Sequence, residues 1–284
     1  MQSPPPLTDR IALARQRARA LRAPAFFLQE QAADEIEERL DEVNRTFTAP
    51  AVVTPFPDLW RARLPQARIV ADDERLDLEP GAHDLVIHAL ALHWANDPVG
   101  QLIQSRLSLV PDGLFLGVLF AGRTLAELRA CLAEAEVAQT GGLSPRVLPM
   151  GDLRDLGALL QRAGFALPVA DATLKTVSYP GFYSLLADLR AMGEGNALEA
   201  RLRRPTPRRV FRDAARRYAE AFASPGGRVS ASFEMTFLTG WAPADSQPKP
   251  LRPGSAARRL ADALGADEQP LPETTSMPAT KRDS

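Results

Sequence analysis

Three histidines spaced five residues apart are the side chains in this sequence best suited to proton transfer. They are His83, His88 and His93, and an imidazole can act as a base near neutral pH. We take His88 and His93 as weak catalytic candidates. A packed imidazole is the alternative, and it is favoured because the sequence supplies neither ring with an orienting partner. The spacing matches no metal-ligand pattern with the single Cys131, so no metal site is predicted.

A run of three acids, Asp72, Asp73 and Glu74, follows the candidate strand 67–71. Carboxylates in this position can accept hydrogen bonds from a ligand. They can equally form a solvated strand end or cap a helix that follows. Both interpretations stay open on the sequence.

The overall charge argues against one class of function. Lysine and arginine total 34 and the acids 35, so the formal net charge is -1 and no field for a phosphate backbone arises. Nucleic acid is therefore not expected as a partner. A cluster of arginines could hold a phosphate or a protein partner, although a solvated face is favoured. The cluster consists of Arg201, Arg203, Arg204, Arg208 and Arg209.

Hydropathy and cysteine content indicate the compartment. No apolar run approaches the roughly 20 residues that cross a bilayer, so no integral membrane segment is expected. One cysteine cannot form an intramolecular disulfide, which fits a reducing compartment. Several arginines between residues 10 and 22 are typical of a targeting presequence, but the segment lacks the serine enrichment of one. We predict a cytoplasmic protein.

Strands that alternate with helices must position these side chains. Apolar runs predict strands, and apolar residues at helical spacing predict helices. Strands are expected at 51–53, 67–71, 84–88 and 114–120, and helices at 25–43, 99–109, 125–137 and 153–162. A turn is expected at Pro111-Asp112-Gly113 and a helix C-cap at Gly164. This order is typical of a parallel sheet in an α/β protein.

The second half of the chain follows a different pattern. Extended segments are expected at 165–169 and 174–179, helices at 182–192 and 207–223, and a final strand at 229–238. We divide the chain into a helical region at 1–47, an α/β domain at 48–245 with a helical insertion at about 182–223, and a tail at 246–284. The tail is rich in Pro, Thr, Ser and charge, and is expected to be largely disordered after about residue 265.

Seven short stretches, in order along the chain, carry a family resemblance. They are DEVNRTF at 41–47, ALHWAND at 91–97, PDGLFL at 111–116, TLAELR at 124–129, SPRV at 144–147, LLQRAGF at 159–165 and GWAP at 240–243. Together they resemble class I S-adenosylmethionine-dependent methyltransferases, in particular a bacterial member of the respiratory complex I assembly factor 5 family. The match runs from about residue 7 to residue 256.

The resemblance implies a fold and a cofactor. The fold is a seven-stranded, Rossmann-like sheet whose last strand, 229–238, is antiparallel, with the helical insertion before it. The cofactor is S-adenosylmethionine, which in this fold lies outside the carboxyl ends of the strands. On the family pattern, Asp72 accepts a hydrogen bond from the adenine amino group, with Asp73 beside it. His88 would line the same cleft.

The sequence departs from the family pattern directly after the first strand. The residues that follow it, Thr54-Pro55-Phe56-Pro57-Asp58, include no glycine, and the two prolines remove two backbone donors. About thirteen residues separate this strand from residue 67, too few for the usual helix, strand and helix. We therefore predict an α/β, class I methyltransferase-like sheet with a truncated N-terminal half, which leaves the cofactor without its usual loop.

Three functions stay open on the sequence. The first is an S-adenosylmethionine-dependent, methyltransferase-like enzyme in respiratory complex I assembly; family members are described as hydroxylating an arginine of a complex I subunit. The second is a non-catalytic assembly factor that has lost cofactor binding, which the missing loop favours. The third is a small-acid or acyl-carrier O-methyltransferase of the biotin-synthesis type. A complex I subunit is the expected partner, and the oligomeric state is not predicted.

Overall fold

One mixed sheet organises the computed structural model, which describes residues 5–248 of the chain. Its strands are β1 Pro50–Val53, β2 Arg68–Val70, β3 His83–Ala89, β4 Leu109–Ala121, β5 Ala166–Tyr179, β6 Ala223–Ser224 and β7 Arg228–Trp241. The described residues up to Asp245 belong to one unit. The expected tail at 246–284 lies almost wholly outside the described residues, and the predicted domain boundaries stay predictions.

Eight α-helices and one short 3-10 helix connect and cover these strands in the described part of the chain. They are α1 Arg10–Ala20, α2 Phe27–Val43, α3 Pro57–Arg63, α4 Pro98–Ser108, α5 Ala126–Thr140, α6 Leu153–Ala163, α7 Phe182–Ala191 and α8 Arg208–Ala221, with the 3-10 turn at Leu92–Trp94. The expected helices of both halves are confirmed. None of the helices between residues 5 and 248 is long and apolar enough to cross a membrane.

The strand order is β2-β1-β3-β4-β7-β5, with β6 added beside β7. The first four strands of this order are parallel, whereas β7 runs antiparallel to both β4 and β5. Val53 lies opposite both Val70 and His88, so β1, β2 and β3 end at one level. The predicted α/β sheet with a final antiparallel strand and a helical insertion is confirmed.

The first half of the sheet is short, as the sequence predicted. Only α3, a helix of 7 residues, lies between β1 and β2, and no helix connects β2 to β3. β2 therefore pairs directly with β1. Trp60 of α3 is 1% exposed and packs into the main core with Val52 of β1, so one large side chain anchors this reduced crossover.

One local expectation was wrong. Pro111-Asp112-Gly113 is not a turn between elements but lies inside β4, where the register with β3 shifts between His83 and Leu85. The reason is pairing: the Asp112 N–H donates to the Ala242 carbonyl, and the Ala242 N–H donates to the Gly113 carbonyl. The expected extended segments 165–169 and 174–179 are confirmed and belong to one strand, because β7 pairs with β5 at Ala166 and then continuously from Val169 to Tyr179.

Glycine ends α6 as predicted. Gly164 has φ +83°, and its N–H donates to the carbonyls of Leu160 and Gln161. This tight end turns the chain directly into β5. The predicted helical insertion corresponds to α7 and α8, which pack against the main core. Their side chains Leu185, Val210 and Tyr218 are fully buried there.

Trp60→Ala should lower the free energy of unfolding by about 3–5 kcal/mol, because it empties the core position that anchors the shortened crossover. Urea unfolding followed by circular dichroism measures this. Arg61→Ala is the matched control, since its side chain is 62% exposed and its ion pair with Asp58 should contribute under about 1 kcal/mol. Equal midpoints for the two variants would contradict the anchoring role.

Candidate functional site

Asp72 lies two residues after the end of β2 and is buried, with 5% of its surface exposed. The Arg17 Nη1 donates to both of its carboxylate oxygens, at 2.8 Å each. Arg10 adds a bond from Nη1 to Oδ2 at 3.3 Å and also donates to the Asp72 backbone carbonyl. Both arginines belong to α1. On the family pattern, Asp72 would accept a hydrogen bond from adenine. In this structure it accepts hydrogen bonds from Arg10 and Arg17 instead.

Helix α1 lies across the carboxyl ends of β1 and β2. Arg17 is 8% exposed, and a Cβ on Gly193 would lie 3.2 Å from both the Arg17 Cγ and the Phe56 Cζ. Gly193 has φ +80°, so glycine is required here for both conformation and space. The close approach fixes Arg17 between the strand ends and the loop that follows α7.

A cleft of about 490 Å³ remains between α1 and these strand ends. Apolar and proline side chains form most of its walls. Its charged lining consists of Arg10, Arg17, Arg61, Asp72 and Asp73. Asp73 is exposed, with 77% of its side chain accessible, and lies 3.8 Å from an Arg10 nitrogen. The cleft therefore contains no buried acid other than the one already paired.

His88 is the penultimate residue of β3 and is completely buried. Its Nε2 lies 2.8 Å from the Gln101 Oε1, and the Gln101 Nε2 donates to the Asp73 carbonyl at 3.0 Å. That amide orientation makes His88 Nε2 the donor, and burial keeps the imidazole neutral. Burial lowers the pKa of His88 to about 4. The ring acts as a structural link between β3 and the end of β2.

His93 lies elsewhere, against a buried carboxylate that the sequence did not reveal. The His93 Nε2 is 3.2 Å from the Glu194 Oε2, and the Trp94 indole N–H donates to the same oxygen at 2.7 Å. The side chains of His93 and Glu194 are 3% and 10% exposed. Burial acts to raise the pKa of Glu194, but His93, Arg17 and the indole together lower it. Glu194 is therefore an anion inside the protein.

These three residues line a second cavity, of about 190 Å³, under the helical insertion. Its walls are mainly apolar and come from β4, α5, α7, α8 and the loop at 146–150. The apolar lining includes Phe120, Leu125, Leu128, Leu132, Leu148, Met150, Leu186, Leu189, Phe211 and Phe233. A single anion set among apolar walls suits a cationic group on an apolar stem.

The structure brings together Asp72, Asp73 and His88 but not His93. Gln101 links His88 to the Asp73 carbonyl, and the predicted roles of these residues toward a ligand stay predictions. Glu194 was missed because 101 positions separate it from His93. The available signal was local: an acid between Gly193 and Gly195 at the end of an apolar helix.

The residues at the strand ends do not fit S-adenosylmethionine. After β1, the Thr54 N–H donates to the Val70 carbonyl and the Phe56 N–H donates to the Thr54 hydroxyl, while Pro55 and Pro57 have no N–H. The turn at 54–57 therefore has no free backbone N–H for the methionine carboxylate. Both oxygens of Asp72 already accept from Arg17, so an adenine amino group would have to share this acid with a buried guanidinium.

No family model matches the chain, but curated proteins do. The chain is 39% identical over 223 residues to the mitochondrial arginine-hydroxylase NDUFAF5 of Danio rerio, which covers 78% of this chain and 68% of that protein. It is 36% identical over 219 residues to the human protein, with 76% and 62% covered. The chain thus spans about two thirds of the length of these relatives.

Two other comparisons are more distant. A malonyl-[acyl-carrier protein] O-methyltransferase of Nitrosospira multiformis is 34% identical over 183 residues, covering 64% of this chain and 57% of that one. Among solved structures, the YcgJ protein of Bacillus subtilis is 11% identical with a TM-score of 0.43, covering 69% of this chain and 92% of that chain.

The buried His88 should make the protein less stable in mild acid. Its pKa is about 4 when folded and about 6.5 when unfolded, so between these values only the unfolded chain binds the proton. Stability therefore falls as the pH drops through this window, by about 2.5 kcal/mol at pH 4.5 relative to pH 7.5 from this group.

Urea unfolding of the wild type and His88→Gln at the two pH values isolates that contribution. Glutamine keeps a donor for Gln101 and cannot titrate. The wild type should lose more stability than the variant by about this difference. Parallel losses in both proteins would show that the ring does not titrate as described.

Proposed function

The chain belongs to the family of the arginine-hydroxylase NDUFAF5, and we propose that it acts in respiratory complex I assembly by binding an arginine side chain of a complex I subunit. It is a methyltransferase-like protein by family and fold. The relatives' name supplies arginine as the side chain. The complex I partner and the cytoplasmic location come from the sequence and are part of the same proposal.

Glu194 is the observation that carries the proposal. His93 and Trp94 both donate to its Oε2, and in the described part of the chain no hydrogen bond to Oε1 is found. An arginine needs apolar contact along its methylene stem and an anion for its guanidinium. The cavity beside Glu194 offers both. Desolvation in such a cavity strengthens the charge-assisted bond.

Two arginines also line this cavity, and neither cancels Glu194 there. Arg146 is paired with Glu136, with a nitrogen to oxygen distance of 2.6 Å. That pairing lowers the pKa of Glu136 to about 2, against a burial that acts to raise it, so the pair is neutral overall. Arg190 is exposed to solvent. Neither arginine is therefore a partner of Glu194, whose two hydrogen bonds from His93 and Trp94 both go to Oε2.

Methyl transfer is not part of this proposal. S-adenosylmethionine is the cofactor that the resemblance implies, but the strand ends lack a glycine-rich donor loop, and the buried acid there is already bonded to Arg17. The acyl-carrier O-methyltransferase alternative has lower identity and shorter coverage than the arginine-hydroxylases. It would also require the cofactor. Binding of a partner arginine needs only residues that the described chain contains.

Deleting the gene should lower the amount of assembled complex I, which blue native gels and NADH:quinone activity measure. Wild-type complementation should restore it. Glu194→Gln should fail to restore it, because the neutral amide keeps the size of the side chain but loses the charge. Glu199→Gln is the matched control, since Glu199 is 43% exposed and pairs with Arg203. Normal complex I in the deletion strain would refute the assembly role.

Acetyl-arginine amide should shift the Trp94 indole N–H resonance of the purified protein in a saturable way, because that group donates to the Glu194 carboxylate. Acetyl-citrulline amide, which has the same shape without the charge, should not. Leu186→Trp, which narrows the cavity without touching Glu194, should weaken the arginine effect at least about tenfold. Equal responses to the two amides would contradict charge recognition by Glu194.

A further inference from the structure

We propose that α1 has taken over the interactions that the family pattern assigns to the cofactor, with Arg17 as the built-in partner of Asp72, so that the chain keeps its fold without S-adenosylmethionine. This inference concerns the cleft at the ends of β1 and β2. It does not rest on the proposed function, which concerns the cavity at Glu194.

The charge of Asp72 supplies the first argument. A carboxylate with 5% exposure is unstable in a protein unless a cation or several donors reach it. Arg17 meets this need by bonding both oxygens, and it is itself almost fully buried, with its side chain 10% exposed. A ligand that replaced Arg17 at Asp72 would leave a buried guanidinium without its partner.

The anchoring of α1 supplies the second argument. Leu13 is 1% exposed and packs with Trp94, Leu148 and Leu198. The Asp9 N–H donates to the Ala197 carbonyl at 2.8 Å, and the Asp9 carboxylate accepts from Arg201 at 2.7 Å. These contacts tie the start of α1 to the loop after α7. The helix is thus a fixed part of the core, and Arg17 is held in place from both sides.

The backbone supplies the third argument. Where the family pattern has a glycine-rich loop, Thr54 and Phe56 use their N–H groups internally, and Phe56 packs beside Gly193 and Arg17. The short turn therefore contacts the very helix that supplies Arg17. The cofactor is also a sulfonium cation, and the cleft already contains three guanidinium groups against two aspartates. We therefore treat the absence of the glycine-rich loop after β1 and the packing of α1 on the strand ends as one structural change.

Titration of the wild-type protein with S-adenosylhomocysteine is the primary test. We expect no saturable heat by calorimetry and no thermal shift at millimolar ligand, whereas a ligand bound at micromolar affinity would raise the melting temperature measurably. Saturable micromolar binding would overturn the inference. It would leave the arginine response at Trp94 untouched, so failure here is distinguishable from failure of the proposed function.

Arg17→Met tests the built-in partner. We expect the melting temperature to fall by about 10 °C, because Asp72 is left buried without its main cation. Arg15→Met, on the exposed face of the same helix, should change it by under about 2 °C. The double variant Arg17→Met with Asp72→Leu should recover more than half of the loss, since no unpaired charge remains.

The same variants give results that would overturn the inference. An unchanged melting temperature for Arg17→Met would mean that the Arg17–Asp72 ion pair does not stabilise the fold. Recovery of Arg17→Met by S-adenosylhomocysteine would mean that the cleft is still a cofactor site for which α1 competes. If Arg17→Met does not fold, amide exchange of the wild type decides: α1 amides should be protected like those of β3, and their complete exchange within seconds would refute a fixed helix.

Discussion

A buried carboxylate must be neutralised, and the arrangement of the first half of this protein follows from how Asp72 meets that requirement. Asp72 is placed by β2, which the shortened crossover sets directly beside β1. Its cation comes from α1, 55 positions earlier in the chain. Because breaking a buried ion pair costs about 3–5 kcal/mol, this one contact can hold a helix across the sheet. The position of α1, of the turn after β1 and of Gly193 all depend on it.

The truncation of the sheet and the position of α1 support each other. With a crossover of only 7 residues in α3, the ends of β1 and β2 would stand open to solvent. Helix α1 and the loop after α7 cover these strand ends. Leu13 anchors α1 by apolar packing, and Arg17 anchors it by its ion pair with Asp72. His88 completes the cover from the sheet side as a neutral ring, which suits a site with no spare counter-charge.

Sequence reasoning reached the elements but not their long-range partners. The strands were predictable because buried parallel strands are apolar runs, and the end of α6 because Gly164 can adopt positive φ. The bulge at Asp112 was not, since its stability comes from pairing with Ala242, far away in the chain. The sequence did not reveal that Arg17 pairs with Asp72 or that Glu194 pairs with His93. The reason is the same, because no sequence periodicity links residues that only tertiary packing brings together.

The family resemblance is itself unevenly distributed over the two candidate sites. Three of its seven stretches, 91–97, 124–129 and 144–147, contribute side chains to the cavity at Glu194. None of the seven contributes to the lining of the cleft at Asp72, which comes from residues 10–21, 54–61 and 69–73. Of these seven stretches, those that reach a candidate site therefore lie at the cavity that the proposed function assigns to a partner side chain, and not at the cleft that α1 covers.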